Sequence, residues 1–148
     1  MAHISESQAS LRIIGDLLDP EEITKLLGGS PTSAQRKGEL IIGRTTGKRR
    51  EVRSGVWRLV ASKRSPQNLD AQVEEILNQL TKDITVWDKI RSQFRLDLFC
   101  GIFMEVGNEG MTISSKSLLE LGQRGIEIGL DIYGPSEEAL GQNTTKTQ

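Results

Sequence analysis

Between Phe94 and Val106 the chain alternates. Phe94, Leu96, Leu98, Cys100, Ile102, Met104 and Val106 fall on one parity, and Arg95, Asp97, Phe99, Gly101, Phe103 and Glu105 on the other. This is the period-two pattern of a strand with one buried and one wetter face, and the strand is expected at the centre of a sheet. Ile126 to Tyr133 repeats the pattern, with Ile126, Ile128, Leu130 and Ile132 against Glu127, Gly129, Asp131 and Tyr133. Leu11 to Ile14 reads as a further strand. Between Gly38 and Ala61 two β-like runs, Glu39 to Arg44 and Arg50 to Ala61, flank a turn near Thr46-Gly47, with a bulge expected at Gly55; the product is a basic hairpin.

Elsewhere the period is helical. Leu69, Val73, Ile76, Leu77 and Leu80 recur on one face behind a capping Asn68, as an amphipathic helix requires. Asp19 can cap a helix that has Pro20 at its first position and Glu22 placed to close a capping box, while Ile23, Leu26 and Leu27 form its apolar stripe and Gly28-Gly29 ends it. Asp83 to Gln93 predicts a short helix presenting Trp87 and Ile90, and Ser114 or Ser115 starts another that runs through Leu118 and Leu121 to Gly125. Alternating strands favour a mainly antiparallel sheet with helices packed on one face, an α+β two-layer sandwich. Strand, short helix and strand occur from Leu11 to Ala61 and again from Phe94 to Tyr133, which leaves pseudo-symmetric halves open. Residues 1–9 are expected to be a partly ordered N-terminal segment, 10–134 a single domain and 135–148 a polar flexible tail.

Length and composition narrow the class. At 148 residues and 16.4 kDa there is room for one domain with a real core. The longest apolar stretch, Leu98 to Met104, is far short of the ~20 residues a membrane span needs. The opening Met1-Ala2-His3-Ile4-Ser5-Glu6 lacks the basic region and apolar run of a secretory signal, and the single Cys100 cannot form an internal disulfide. A cytoplasmic location without membrane association is expected.

The net charge of −1 conceals polarity. Arg36 to Arg64 carries ten basic and two acidic residues, and the rest of the chain nine basic and eighteen acidic. One reading makes this arm an internal clamp on an acidic body, with Arg53 or Arg58 pairing Asp97 or Asp131. The other makes Arg44, Lys48, Arg49, Arg50 and Arg53 an anion-binding cluster near a turn, with Trp57 available to stack a base. Trp57 alternates with Leu59 and Ala61, however, as a core residue would, and an acidic body repels nucleic acid. The clamp is the expected role, and nucleic acid is not an expected partner.

No catalytic constellation emerges. The one histidine, His3, lies at the terminus, away from any candidate nucleophile. Cys100 shares the parity of Leu98 and Ile102 and reads as a small core residue, and one cysteine with one histidine cannot supply a structural zinc site. Gly43-Arg44-Thr45-Thr46-Gly47-Lys48-Arg49 has three residues between its glycines where a phosphate loop has four, and Arg49 replaces the Ser/Thr that holds magnesium. Asp19, Glu21 and Glu22 suit a helix N-terminus without any ion. No cofactor is expected. What remains is the wetter sheet face, where Asp97, Phe99, Phe103, Glu105, Glu127, Asp131 and Tyr133 put aromatics beside carboxylates, a surface suited to a protein partner or a cationic ligand.

The ordered set Gly15-Asp16-Leu17-Leu18-Asp19-Pro20-Glu21-Glu22-Ile23-Thr24, Pro31, Arg36-Lys37-Gly38, Trp57, Arg124-Gly125 and Leu130-Asp131-Ile132-Tyr133 resembles a bacterial family known only as domain of unknown function 4279. The resemblance spans Leu11 to Tyr133 and implies a small α+β domain with no activity, cofactor or site residue to carry over. The leading expectation is a non-catalytic interaction module with a protein partner, immunity- or adaptor-like. The alternatives are a hydrolase or transferase using Asp97, Glu105 and Asp131 as acid/base groups, and a polyanion binder acting through the 36–64 hairpin. If Arg50 to Ala61 or Ile126 to Tyr133 is an edge strand, a homodimer is expected.

Overall fold

The computed structural model describes residues 3–136; the expected tail falls mainly on residues 137–148, outside them. An α+β sandwich is observed. The larger sheet comprises β1 (Glu6–Gly15), β2 (Ser33–Gln35), β5 (Gly55–Val60), β6 (Arg95–Phe103) and β7 (Glu127–Tyr133), in the order β2-β5-β1-β6-β7. Every pairing is antiparallel except β6 with β7, which is parallel. The connection from β6 to β7 therefore needs a crossover, and α4 (Ser115–Gln123) supplies it. The early unit of β1 and β5 pairs antiparallel and the late unit of β6 and β7 parallel.

The middle strand is β1, not β6. β1 runs ten residues and pairs along both edges, with Leu11 and Ile13 fully buried. Its first half, Glu6-Ser7-Gln8-Ala9-Ser10, is too polar to display the alternation in sequence. The reason lies at Ser7, whose hydroxyl donates to Gln72 Oε1 (2.7 Å) while Gln72 Nε2 donates to the carbonyls of Ser7 (2.9 Å) and Ser62 (3.0 Å). A buried polar position is thereby satisfied and ties the central strand to α2 (Leu69–Leu77).

The helices cover one face. Ile23 and Leu27 of α1 (Pro20–Leu27), Leu69, Val73, Ile76 and Leu77 of α2, Trp87 and Ile90 of α3 (Ile84–Arg91), and Leu121 of α4 form one core with Leu11, Ile13, Trp57, Leu59, Leu96, Leu98, Cys100 and Ile102 of the sheet. The predicted caps are present: Asp19 accepts from Glu21 N–H, Asn68 from Ala71 N–H and Ser114 from Ser117 N–H, while Asp83, read as the first residue of its helix, is instead its cap and accepts from Thr85 N–H. Glu22 makes no reciprocal bond, so the capping box stays open among the described residues. Gly28 closes α1 at φ 74°, its N–H donating to Thr24 O, in the left-handed region where only glycine is unstrained.

The predicted strand from Arg50 to Ala61 is two elements. β3 (Leu40–Ile42) and β4 (Arg49–Glu51) form a separate two-stranded hairpin, and the chain re-enters the main sheet only at Gly55. Gly55 is a close approach instead of a bulge: a Cβ there would lie 2.8 Å from Gly15 O and 3.1 Å from Leu18 Cβ.

Candidate functional site

The sheet face opposite the helices is read most clearly in rows across the strands. Ser33 of β2, Arg58 of β5, Arg12 of β1, Asp97 of β6 and Glu127 of β7 stand side by side in register. One row thus passes from two cations to two carboxylates. Arg12 joins the halves, donating from Nε to Asp97 Oδ1 (2.8 Å) and from Nη2 to Asp97 Oδ2 (2.6 Å), the two-pronged geometry that makes such pairs strong. That pairing holds the Arg12 proton more tightly than usual, and the guanidinium lies 4.5 Å from the Phe99 ring centre.

Arg58 has no such partner. It lies directly across from Arg12, a like-charge neighbour, and its buried Nε meets no acceptor among the described residues. Arg58 was expected to clamp Asp97 or Asp131; Arg12 is nearer by register and occupies Asp97 instead.

The neighbouring rows are aromatic and small. Val60, Ser10, Phe99 and Gly129 form the next, then Gln8, Gly101 and Asp131, then Phe103 and Tyr133. Phe103 and Tyr133 stack with ring centres 4.8 Å apart, and Tyr133 Oη donates to Asp131 Oδ2 at 2.7 Å. The acceptance of that proton by Asp131 raises the Tyr133 phenol above its ordinary value. Gly101 leaves a gap between Phe99 and Phe103, where a Cβ would crowd the Phe103 ring at 3.2 Å. The result is a groove of about 290 Å³ lined by Gln8, Ser10, Arg12, Arg58, Phe99 and Tyr133 among others.

Of the residues singled out in the sequence, Asp97, Phe99, Phe103, Glu127, Asp131 and Tyr133 share this face. Glu105 lies past the end of β6 and is exposed. Arg12, Gln8 and Ser10 were missed as members of it, because β1 was not placed beside β6, and Arg58 was named only as a clamp on it; the register of β1 was the hidden signal. The carboxylates do not line up for acid–base work: Asp97 is engaged by Arg12, Asp131 stands four positions further along in the Gly101 row, and Glu105 lies beyond the end of β6.

The basic hairpin lies elsewhere. Arg44, Lys48, Arg49, Arg50 and Arg53 are all exposed and make no ion pair among the described residues. Among the described residues the clamp exists only at the arm's ends. Arg36 pairs with Glu21 and, at 3.1 Å, with Asp19; Lys37 reaches Asp16 at 3.2 Å, Lys63 Glu6 at 2.8 Å and Arg64 Glu75 at 3.4 Å. Lys37, Arg49, Arg50 and Arg53 with Glu51 and Val52 border an open hollow of about 550 Å³. Trp57 is fully buried and donates from Nε1 to Thr24 Oγ1 at 3.0 Å, so it cannot stack a base. Cys100 is likewise buried, and burial, with a smaller contribution from Asp97, pushes its thiol up to about 12.

A further cavity of about 210 Å³ lies between α2 and α4. Several of its polar groups serve one another: Asp70 accepts from Ser114 N–H (3.0 Å) and Ser117 Oγ (2.6 Å), and Arg124 donates to Glu120 (2.7 Å), while the buried Nε of Arg124 meets no acceptor among the described residues. Among the described residues no group of three His, Cys, Asp or Glu side chains is placed to hold a metal ion, and no helix is long and apolar enough to cross a membrane.

A family model described as domain of unknown function (DUF4279) matches residues 5–135. No curated protein and no solved structure matches the chain.

Proposed function

The chain belongs to the DUF4279 family, and we propose that it is a non-catalytic interaction module, cytoplasmic and adaptor- or immunity-like, whose open sheet face docks a protein partner. The observation that carries this reading is the unpaired Arg58 beside an aromatic groove. Arg58 is half-buried and makes no ion pair among the described residues, and a carboxylate delivered by a partner to the accessible end of its guanidinium would compensate its charge. The stacked Phe103 and Tyr133 and the half-exposed Phe99 offer rigid apolar area beside it. The partner's segment thus presents an apolar side chain next to an acidic one, and a basic residue suits Glu127 at the other end of the row. Against the carboxylate hydrolase stands the engagement of Asp97 by Arg12.

Photo-crosslinking from the native host tests this. A crosslinkable residue at Phe99 is expected to capture one discrete protein species, lost when Arg58→Glu is added, whereas the same residue at Ile42 on the hairpin captures none. Equal capture from both positions, or turnover of a defined substrate abolished by one substitution, would overturn it.

A second reading has its own observation. The exposed arginines of the hairpin, Arg49, Arg50 and Arg53, border a common hollow, which favours a polyanion. Retention of an oligonucleotide at low salt, lost steeply as salt rises and lost in Arg49→Gln/Arg50→Gln/Arg53→Gln, would establish it.

A further inference from the structure

β7 is an edge strand, and of the devices that discourage pairing it carries only the charges of Glu127 and Asp131 among the described residues. It has seven residues, no proline and no lysine or arginine. Tyr133 O accepts from Met104 N–H, towards β6. Because backbone groups alternate along a strand, those of Ile128, Leu130 and Ile132 point away from the sheet. On the helix-side face of this edge, Leu130 is 47% and Ile132 58% exposed, so apolar side chains lie together with backbone donors that have no partner among the described residues.

We infer that β7 pairs antiparallel with β7 of a second copy, about a two-fold axis through Leu130. Charge selects that register. With Leu130 opposite its own copy, Ile128 faces Ile132, Glu127 faces Tyr133 and Gly129 faces Asp131. A shift of the axis by one residue to Gly129 sets Glu127 directly against Asp131 twice, and a shift to Asp131 sets that carboxylate against itself; like charges directly opposite are unfavourable. The Leu130 register also joins apolar to apolar on the helix side, and the outward N–H and C=O groups of Ile128, Leu130 and Ile132 exchange bonds as hydrogen-bonded pairs. The axis stands perpendicular to the sheet, so the two open faces become one continuous surface, and Glu127 of each copy reaches Tyr133 at the margin of the other's groove. This inference does not rest on the proposed partner.

The test uses the whole chain in two measurements. Sedimentation is expected to show a concentration-dependent dimer for the native protein and a monomer for Leu130→Lys, with unchanged circular dichroism because the side chain is half exposed. Under mild oxidation Leu130→Cys is expected to crosslink to itself, since hydrogen-bonded partners sit about 5.5 Å apart at Cα, within disulfide range. Gly129→Cys and Ile132→Cys are expected not to, the latter lying four residues, roughly 14 Å, from its own copy. A native monomer at every concentration, or a crosslink from position 129 in place of 130, would overturn the inference. Arg58→Glu is expected to leave the dimer intact, which separates this outcome from that of the groove.

Discussion

Replacing Asp97 by asparagine removes one charge from the middle of the row while keeping the shape of the side chain. Arg12 would then face Arg58 across the strand pair with neither cation compensated. The size of the effect follows from burial. Fully exposed pairs contribute ~0–1 kcal/mol and loss of one partner from a buried pair costs ~3–5 kcal/mol. The Arg12 and Asp97 side chains are 23% and 12% exposed, nearer the buried limit, so Asp97→Asn is expected to cost about 2–3 kcal/mol. For a chain of this length that corresponds to a fall in Tm of roughly 5–10 °C. Urea unfolding followed by tryptophan fluorescence reads it well, because Trp57 and Trp87 are both fully buried. Arg12→Met alone is expected to be of similar cost, leaving Asp97 buried and unpaired, and Arg12→Met with Asp97→Leu to recover much of the loss. A cost below ~0.5 kcal/mol for Asp97→Asn, or single effects that simply add in the double variant, would refute the assignment of this pair as the element that fixes the face.

Gln72→Leu removes the acceptor of the Ser7 hydroxyl and one donor to each of the Ser7 and Ser62 carbonyls, although Arg64 N–H and Asn68 N–H still reach Ser7, and is expected to cost about 2 kcal/mol in urea unfolding. Arg49→Gln/Arg50→Gln/Arg53→Gln, by contrast, is expected to change stability by less than ~0.5 kcal/mol, since these side chains make no ion pair among the described residues. Cys100 is expected to react with thiol reagents only as fast as the protein opens, and a native-state reaction at neutral pH faster than unfolding would contradict its burial. Asp70 is held below the ordinary aspartate value: burial opposes this, but the bonds from Ser117 and Ser114 prevail. Its contribution is complete above the ordinary value near 4 and lost as pH falls below it; Asp70→Asn is therefore expected to flatten the acid limb of the stability profile.

The sequence made the helices legible because their signals are local. Asp19, Asn68 and Ser114 cap where the pattern places them, and a cap needs only its next few residues. It made the faces of β6 legible too, since alternation at Leu96, Leu98, Cys100 and Ile102 is a property of one strand. What it hid was neighbourhood. Ser7 and Ser10 disguised the first half of β1, so the strand that supplies Arg12 to Asp97 was never placed beside it, and the basic charge of the 36–64 arm pointed to Arg53 or Arg58 for that role. The same gap explains the hairpin: Arg50 to Ala61 reads as one β-rich run, but the chain crosses from a two-stranded ribbon into the main sheet at Gly55, where only the absent Cβ permits contact with Gly15 and Leu18. Aromatic and acidic residues on alternating parities could be assigned to one face from their spacing alone; the cations that complete it come from strands far away in the chain, and register is a tertiary fact.

We propose that the open sheet face, whose Arg58 makes no ion pair among the described residues, is where this protein meets its partner. The most direct measurement is a calorimetric titration of the partner captured through Phe99 against the native chain and against Arg58→Glu at two salt concentrations. The account predicts that Arg58→Glu weakens binding at least tenfold, or about 1.4 kcal/mol, with an unfolding midpoint close to native and a weaker salt dependence than the native chain. Equal affinity and equal salt dependence for the two proteins would contradict it.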